Sequence, residues 1–254
     1  MTANPLLSVR DARRDFGGVR AVDGVSFDVP AGTITGLIGP NGAGKSTMLN
    51  MIAGAIEPSS GSIVFDGREI AGLPPYRVSR LGLSRTFQTS SPFPRMTVLE
   101  NLLAAPYPQI GESWAALVLG KRAWRAEEHR LLERARELLD RFDMTPKENE
   151  YAGKLSGGQR RLVEIMRSLM TGPKLLLLDE PMAGVSPVLS RRIAGYLEEL
   201  RAHGLTMLMV EHELGFVDQL CDGVVVMTQG TVLSRGTMRD LRRQQEVVDA
   251  YLVG

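Results

Sequence analysis

The sequence predicts an α/β fold in which a helical segment interrupts a mixed sheet. Short apolar or β-branched runs, each bounded by Gly, Pro or Asp, dominate the first third of the chain. From about Tyr76 to Asn149 the apolar residues follow helical spacing, and the last part of the chain alternates helices and strands. Such alternation is typical of a parallel sheet with crossover helices.

The N-terminal strands are predicted at the runs SVRDARRDF, VSFDV, TITGLIG and GSIVFDG. TITGLIG is almost entirely apolar, so we expect both of its faces to be buried. The C-terminal strands are predicted at LLLLD, TMLMVE and GVVVM. Between the first two of these, Ser186 can cap a helix that has Pro187 at its first position and ends at Gly204.

The helical segment carries its own start signal. Thr97 and Glu100 have the spacing of a capping box, and the helix that they begin should end before Pro106. A later helix is predicted from an apolar face made of Leu131, Ala135, Leu138 and Phe142.

Composition limits the classes of partner and compartment. Lys plus Arg total 30 against 29 for Asp plus Glu, a balance that gives no electrostatic reason to expect nucleic acid as a partner. The single cysteine, Cys221, and an N-terminus without the apolar core of a signal peptide favour a reducing cytoplasm. No apolar run approaches the roughly 18–20 residues of a spanning helix, so any link to a membrane should go through another protein.

The stretch GPNGAGKST, from Gly39 to Thr47, lies between a predicted strand and a predicted helix. In that context glycines let successive N–H groups converge on an anion at the positive end of the helix. Lys45 adds a full charge for the β- and γ-phosphates, and the Ser46 hydroxyl can ligate Mg²⁺. Thr47 can donate a further hydrogen bond. The alternative is a glycine-rich turn that matches the spacing by chance.

The run LLLLDEP supplies two carboxylates at the end of an apolar strand. Asp179 can reach Mg²⁺ at the edge of the sheet, where open α/β folds bind ligands. Glu180 points to the opposite side and can polarise an attacking water. Taken alone, the run is better explained as a buried strand ending in a solvated acidic turn, but the phosphate loop reverses that preference.

The run LSGGQRRLVEIMRSLM forms a third unusual element, with a buried helical face at Leu162, Ile165, Met166 and Leu169. Ser156, Gly157 and Gly158 then lie where the helix begins, which makes a second anion-binding helix start. A second anion site in one chain suggests action on a nucleotide held by another chain. For these residues in isolation, a simple capped turn is the alternative.

Together, GPNGAGKST, LSGGQ and LLLLDEP resemble the Walker A, signature and Walker B motifs of the nucleotide-binding subunits of ABC transporters, in that family's order. The resemblance implies a P-loop NTPase cassette that hydrolyses ATP with Mg²⁺. It implies that Phe16 stacks on adenine and that Val22 lines the same pocket. It also implies that Gln88 contacts Mg²⁺ and the lytic water, and that His212 contacts the γ-phosphate. The residues that it places around nucleotide and metal are Phe16, Val22, Asn41, Gly42, Ala43, Gly44, Lys45, Ser46, Thr47, Gln88, Ser156, Gly157, Gly158, Gln159, Asp179, Glu180 and His212.

The same resemblance implies a head-to-tail dimer, either with an identical chain or with a paralogous ATPase. Each glycine-rich loop would face the partner's SGGQ run, so that ATP binding closes the dimer and hydrolysis opens it. One departure is Ser186, because the commonest family version has an acidic residue at this position. Communication between the two sites is therefore expected to differ.

A narrower resemblance covers nearly the whole chain. The runs DFGGVRAVDGVSFDV, GLSRTFQ, MTVLENLL and AYLVG are similar to the ATP-binding subunits of bacterial branched-chain amino-acid importers, the LivG type. This implies a peripheral subunit on the cytoplasmic face of the inner membrane, bound to integral permeases and served indirectly by a solute-binding protein. Phe93, Pro94 and Met96 are then expected in the groove that receives the permease, with ordinary core packing as the alternative.

The resemblance also divides the chain into a RecA-like core, about 1–87 and 172–254, and a helical subdomain, about 88–171. Two other functions are compatible with a cassette of this kind. One is a lipid or lipopolysaccharide export ATPase, and the other is a soluble ABC ATPase. The second usually has two cassettes in one chain, a coiled-coil insertion or a basic arm, and this sequence shows none of them.

Overall fold

The structure is a computed structural model that describes residues 5–86, 92–106 and 121–252. The chain forms two compact units. The first unit comprises Met1–Arg85, Lys174–Ala183 and Arg191–Gly254, and the second comprises Thr86–Pro173 and Gly184–Ser190. The second unit thus includes a segment, Gly184–Ser190, that the sequence-based boundaries assigned to the core.

An antiparallel sheet forms the N-terminal part of the first unit. Its four strands run in the order β2, β1, β4, β5. Their bounds are β1 (Leu7–Phe16), β2 (Val19–Val29), β4 (Ser60–Phe65) and β5 (Arg68–Glu69). The pairing of β1 with β2 contains register shifts, and it ends where Phe16 pairs with Val19 at the end of the hairpin.

A six-stranded sheet of order β10, β9, β3, β8, β7, β6 forms the rest of the first unit. All its pairs are parallel except β9 with β10. Its strands are β3 (Ile34–Ile38), β6 (Leu83–Arg85), β7 (Leu175–Asp179), β8 (Thr206–Val210), β9 (Gly223–Thr228) and β10 (Thr231–Gly236). Because β3, β7 and β8 lie side by side in parallel, the loops after them meet at one edge.

The helices of the first unit connect or follow these strands. They are α1 (Lys45–Ile52), α2 (Pro75–Arg80), α7 (Leu214–Leu220), α8 (Met238–Leu241) and α9 (Gln245–Leu252), together with most of α6 (Pro187–Ala202). Gly204 follows α6 with φ of 90°, a left-handed conformation that suits the end of a helix.

The predicted strands are confirmed, including the burial of both faces of the TITGLIG run. All residues of β3, β7 and β8 are buried. One apolar cluster joins the two sheets of the first unit through residues such as Phe27, Leu49 and Leu177. This packing fixes the ends of the parallel strands, because close-packed interiors leave little room for movement.

The second unit is helical in the residues that the structure describes. Its helices are α3 (Val98–Leu103), α4 (Lys121–Arg141) and α5 (Gly157–Met170). The capping box predicted at Thr97 and Glu100 is present, and α3 ends before Pro106. The predicted apolar face is buried at Ala135 and Leu138 of α4 and at Phe142 directly after it, whereas Leu131 is only partly buried.

The stretch from about Tyr76 to Asn149, predicted to be mostly helical, contains one strand that the sequence analysis did not predict. Leu83–Arg85 forms a short strand, β6, which pairs in parallel with β7 at the edge of the six-stranded sheet. Three residues are too few to show the alternation of a strand in the sequence. Within the described ranges, no helix is long and apolar enough to cross a membrane.

Cys221 is expected to react slowly with alkylating reagents. Its thiol lies at the end of α7, near Gly36 of β3, and burial raises its pKa to about 12 from 9.0, with Asp222 adding to the rise. An acid with a raised pKa stays protonated, and only the thiolate is nucleophilic. At pH 8 iodoacetamide should therefore label the native chain much more slowly than the urea-unfolded chain, as measured by mass spectrometry. Equal labelling rates would contradict the packing described for this residue.

Candidate functional site

A glycine-rich loop connects β3 to α1, and its glycines are required by the backbone. Gly39, Gly42 and Gly44 have φ of 150°, 78° and 95°. A Cβ at Gly39 would lie 2.0 Å from the carbonyl oxygen of Met227, and one at Gly44 would lie 2.4 Å from that of Ala21. Any other residue at these two positions would displace a neighbouring strand.

The loop leads into the positive end of α1. Gly44 caps this helix without a side-chain hydrogen bond, so the first N–H groups of α1 are not satisfied by a capping side chain. Asn41, Gly42 and Ser46 are exposed, Thr47 is partly exposed and Ala43 is buried. The exposed backbone and hydroxyl donors could together bind an anion, and the predicted phosphate contact stays a prediction.

Lys45 is held inside this loop. Its side chain is 6% exposed, and Nζ donates to the carbonyl oxygens of Gly39 at 2.7 Å and Pro40 at 2.9 Å. Burial lowers the pKa of Lys45, while the negative charges of Glu180 and Asp179 oppose that shift. The ammonium group thus feels the charges of Asp179, at the end of β7, and of Glu180, directly after it, and it is poorly solvated, which favours an anionic ligand.

Asp179 ends β7 and forms a buried ion pair that the sequence analysis missed. Its Oδ2 lies 3.0 Å from Nη2 of Arg85, and the two side chains are 1% and 8% exposed. Nη1 of Arg85 also donates to Oδ1 of Asn50 on α1 at 2.5 Å. Arg85 therefore connects β6, β7 and α1. In the sequence, Arg85 is a single charged residue within the run GLSRTFQ, which does not identify its partner.

Glu180 follows Asp179 and has an unusual backbone conformation. Its φ is 48°, which is uncommon for a residue other than glycine. Its Oε1 lies 2.7 Å from Nε2 of His212, the residue that the sequence analysis paired with the γ-phosphate. An Nε2–H group of His212 could donate to a carboxylate at this distance. The two side chains are 25% and 41% exposed.

Phe16 and Val22 differ in their availability to a ligand. Phe16 is 42% exposed, and its ring is covered on one side by the guanidinium of Arg14, 4.6 Å from the centroid. Val22 is completely buried beside Gly44. The valine packs against the loop at Gly44. It has no exposed surface in this structure that a base could contact, which differs from the expected lining of the adenine pocket.

In the second unit, the LSGGQ run forms the start of α5. Ser156 accepts from the N–H of Gln159, and the Gln159 side chain accepts from the N–H of Ser156. A Cβ at Gly158 would lie 2.3 Å from a methyl group of Leu189, so a side chain at this position would require the Leu189 side chain to move. Gly157 is exposed, and a Cβ added to it would have no atom within 4 Å. The fold of this unit gives no steric reason for the glycine at Gly157.

Two other sequence-based expectations concern this region. Ser186 is exposed and caps α6 as predicted, because the N–H of Leu189 donates to its Oγ at 3.4 Å. Gln88 lies outside the residues that the structure describes, so its predicted contacts stay a prediction.

The first unit thus brings a buried lysine, two carboxylates and a histidine to one edge of a parallel sheet. Oxygen ligands for a hard cation are available from Ser46 and Asp179. Glu180 and His212 form a hydrogen-bonded acid–base pair that is open to solvent. This combination can bind a polyphosphate and direct a water molecule at it.

Comparison with known proteins gives a consistent result. A family model described as ABC transporter matches residues 22–183. The chain is 38% identical over 251 residues to the high-affinity branched-chain amino acid transport ATP-binding protein BraF of Pseudomonas aeruginosa, with 98% of both chains covered. It is 39% identical over 247 residues to the probable branched-chain amino acid transport ATP-binding protein LivG of Archaeoglobus fulgidus, covering 97% of this chain and 95% of the relative.

Solved structures agree with this comparison. A crystal structure of the ADP conformation of an ATP-binding cassette of an ABC transporter superimposes with a TM-score of 0.85 at 37% identity, covering 98% of this chain and 99% of that chain. The fold class predicted from the sequence is confirmed, and so is the resemblance that its motifs indicated.

Replacing Arg85 should destabilise the protein strongly. In Arg85→Met the buried carboxylate of Asp179 loses its counter-charge, and removing one partner of a buried pair typically costs about 3–5 kcal/mol. Urea unfolding measures this loss. Arg10→Met is a matched control, because its pair with Asp28 is 52% and 43% exposed and should contribute less than about 1 kcal/mol. Equal losses in the two variants would contradict the role assigned to Arg85.

Proposed function

This chain belongs to the ABC transporter family, and we propose that it is the ATP-hydrolysing subunit of a membrane importer for branched-chain amino acids or a similar small polar solute. The observation that carries the catalytic part is the convergence of Lys45, Asp179 and the Glu180–His212 pair at one sheet edge. The solute class rests on the names of relatives that match nearly the whole chain.

Nucleotide binding is assigned to the glycine-rich loop and to the ring of Phe16. The triphosphate would lie over the N-terminus of α1, where Lys45 exchanges the carbonyl oxygens of Gly39 and Pro40 for phosphate oxygens. The exposed face of Phe16 can stack on adenine while Arg14 holds the opposite face of the ring. Val22 contributes indirectly, by packing under the loop.

The oxygen donors at this edge fit Mg²⁺, which would neutralise charge on the phosphates when bound. Ser46 is exposed at the start of α1, and Asp179 is held in place by Arg85. Both supply hard oxygen ligands, as the sequence analysis expected. Gln88 is proposed as the third residue of this set on the basis of the family motif alone.

Hydrolysis is assigned to Glu180 acting on water. Its carboxylate can accept a proton from the attacking water, and His212 orients it through the Nε2–H donor. His212 can also turn this donor toward the γ-phosphate, since its side chain is 41% exposed. Positioning and electrostatic stabilisation dominate such a transfer, so no covalent intermediate is expected.

We assign the LSGGQ run to a nucleotide bound by a second chain, either identical or paralogous. The support is Gly157, a glycine at the first residue of a helix that neither backbone conformation nor packing requires. Close approach of a phosphate group from outside the unit would explain the missing side chain. ATP would then hold two chains together, and its hydrolysis would release them.

The permease is proposed to dock on the second unit near Phe93. This ring is 48% exposed and lies under the guanidinium of Arg167 at 4.8 Å from its centroid. Aromatic residues and arginine are both enriched in protein–protein interfaces. Docking there would make the chain a peripheral protein on the cytoplasmic face of the membrane. A solute-binding protein would act only through the permease.

Glu180→Gln should retain ATP binding and lose about 10²- to 10⁴-fold in the rate of hydrolysis, which is the range for removal of a general base. Phosphate release measures the rate, and equilibrium titration with fluorescent ATP measures binding. Lys45→Ala is expected to lose binding instead, because the loop then presents no cation. Undiminished turnover in Glu180→Gln would remove this residue from the proposed role.

Deletion of the gene should abolish the uptake of labelled leucine or of a related solute, and the Glu180→Gln chain should fail to restore it. The tagged chain, isolated from membranes, should bring down a multi-spanning permease. Recovery with ribosomes or DNA would favour a soluble ATPase instead. Loss of lipid or lipopolysaccharide at the cell surface, with normal uptake, would favour an export ATPase.

A further inference from the structure

Glu211 is a buried acidic residue for which neither the sequence motifs nor the proposed mechanism accounts. It follows β8 directly, next to His212, and is 3% exposed. Burial raises the pKa of Glu211, and backbone N–H groups oppose the rise. Among the residues that the structure describes, no cationic side chain pairs with it. A buried carboxylate is costly unless its oxygens are satisfied, so its hydrogen bonds must matter.

Those hydrogen bonds join the two segments that carry the catalytic pair. Oε1 of Glu211 accepts from the N–H of Met182 at 2.9 Å, in the turn that follows Glu180. Oε2 accepts from the N–H of His212 at 3.1 Å. One side chain therefore connects the backbone after β7 to the backbone after β8.

The turn after β7 needs such a connection because Glu180 has a left-handed backbone. A φ of 48° in a glutamate persists only where surrounding contacts hold it. The N–H of Glu180 donates to the carbonyl oxygen of Val210 at 2.9 Å, and Pro181 has no N–H to offer. The bond from Met182 to Glu211 is thus the next backbone N–H contact along the turn.

We propose that Glu211 is a positioning residue that holds Glu180 and His212 in register for hydrolysis. This inference rests on the proposed role of Glu180 as the general base. By accepting hydrogen bonds from the N–H of Met182, two residues after Glu180, and from the N–H of His212, the Glu211 carboxylate fixes the 2.7 Å contact between Glu180 Oε1 and His212 Nε2. Glu211 itself contacts neither substrate nor the reacting water.

The substitution Glu211→Gln tests this with little change in shape. An amide replaces one acceptor oxygen by a donor, which would face a backbone N–H. The loss of a hydrogen bond to a charged group predicts a fall in kcat of about 10- to 100-fold. KM for ATP should change less than about twofold, because Lys45 and the loop lie outside this network.

A matched control comes from the neighbouring Glu213→Gln. The Glu213 side chain is exposed and makes no capping hydrogen bond to α7, so its kcat should stay within about twofold of the unchanged chain. If Glu211→Gln fails to fold, Glu211→Asp is used instead. Aspartate keeps both acceptor oxygens, but its side chain is one methylene shorter and should not reach the N–H groups of Met182 and His212 together. A fall in kcat of at least about threefold is therefore expected.

A double-mutant cycle separates positioning from general stability. In the Glu180→Gln background, Glu211→Gln should change the residual rate less than about twofold, because the residue it positions is already lost. A full multiplicative loss in that background would overturn the proposal, as would an unchanged kcat in a folded Glu211 variant. Glu180→Gln also serves as the reference. If it retained full activity, the proposed role of Glu180 as general base would fail, whatever the Glu211 variants do.

Discussion

The rest of the site depends on a buried cation at the carboxyl edge of a parallel sheet. Lys45 lies among the carbonyl oxygens of its own loop and close to the two acidic residues after β7. A lysine that is 6% exposed is poorly solvated, and carbonyl dipoles compensate it only in part. A triphosphate supplies full negative charge at the same place. The loop is therefore arranged for an anion before any anion binds.

The backbone around this cation shows which residues are fixed by the fold and which by function. Gly39 and Gly44 are required because a side chain would collide with neighbouring backbone. Gly157 meets no such obstacle, and Glu180 has the strained conformation that usually belongs to glycine. A glycine without a structural need and a larger residue under strain are both costs to stability. They occur where we assign contact with nucleotide.

Much of this could be predicted from the sequence, for physical reasons. Apolar runs predict buried strands, so β3, β7 and β8 were predicted from the sequence. The spacing of the glycines between a strand and a helix predicts the conformation of the phosphate loop. Arg85 and Glu211 were not found, because a buried charge shows no periodicity and its partners are distant in sequence. Val22 was placed in the adenine pocket by a family motif, although packing beneath Gly44 takes up its whole surface. Gly184–Ser190 belongs to the second unit because of contacts such as that of Leu189 with Gly158. These two residues are distant in sequence, so no local pattern predicts the contact.

The central claim is that Lys45 and the Glu180–His212 pair form one half of an ATP site whose other half is the LSGGQ run of a second chain. The most direct test is a crystal structure of the Glu180→Gln variant grown with ATP and Mg²⁺. The account predicts two chains with ATP between them, Lys45 Nζ moved from the loop carbonyls to phosphate oxygens, and Ser156 and Gly157 of the other chain on the same nucleotide. Single chains whose Lys45 keeps its contacts with Gly39 and Pro40 while ATP is bound would contradict it.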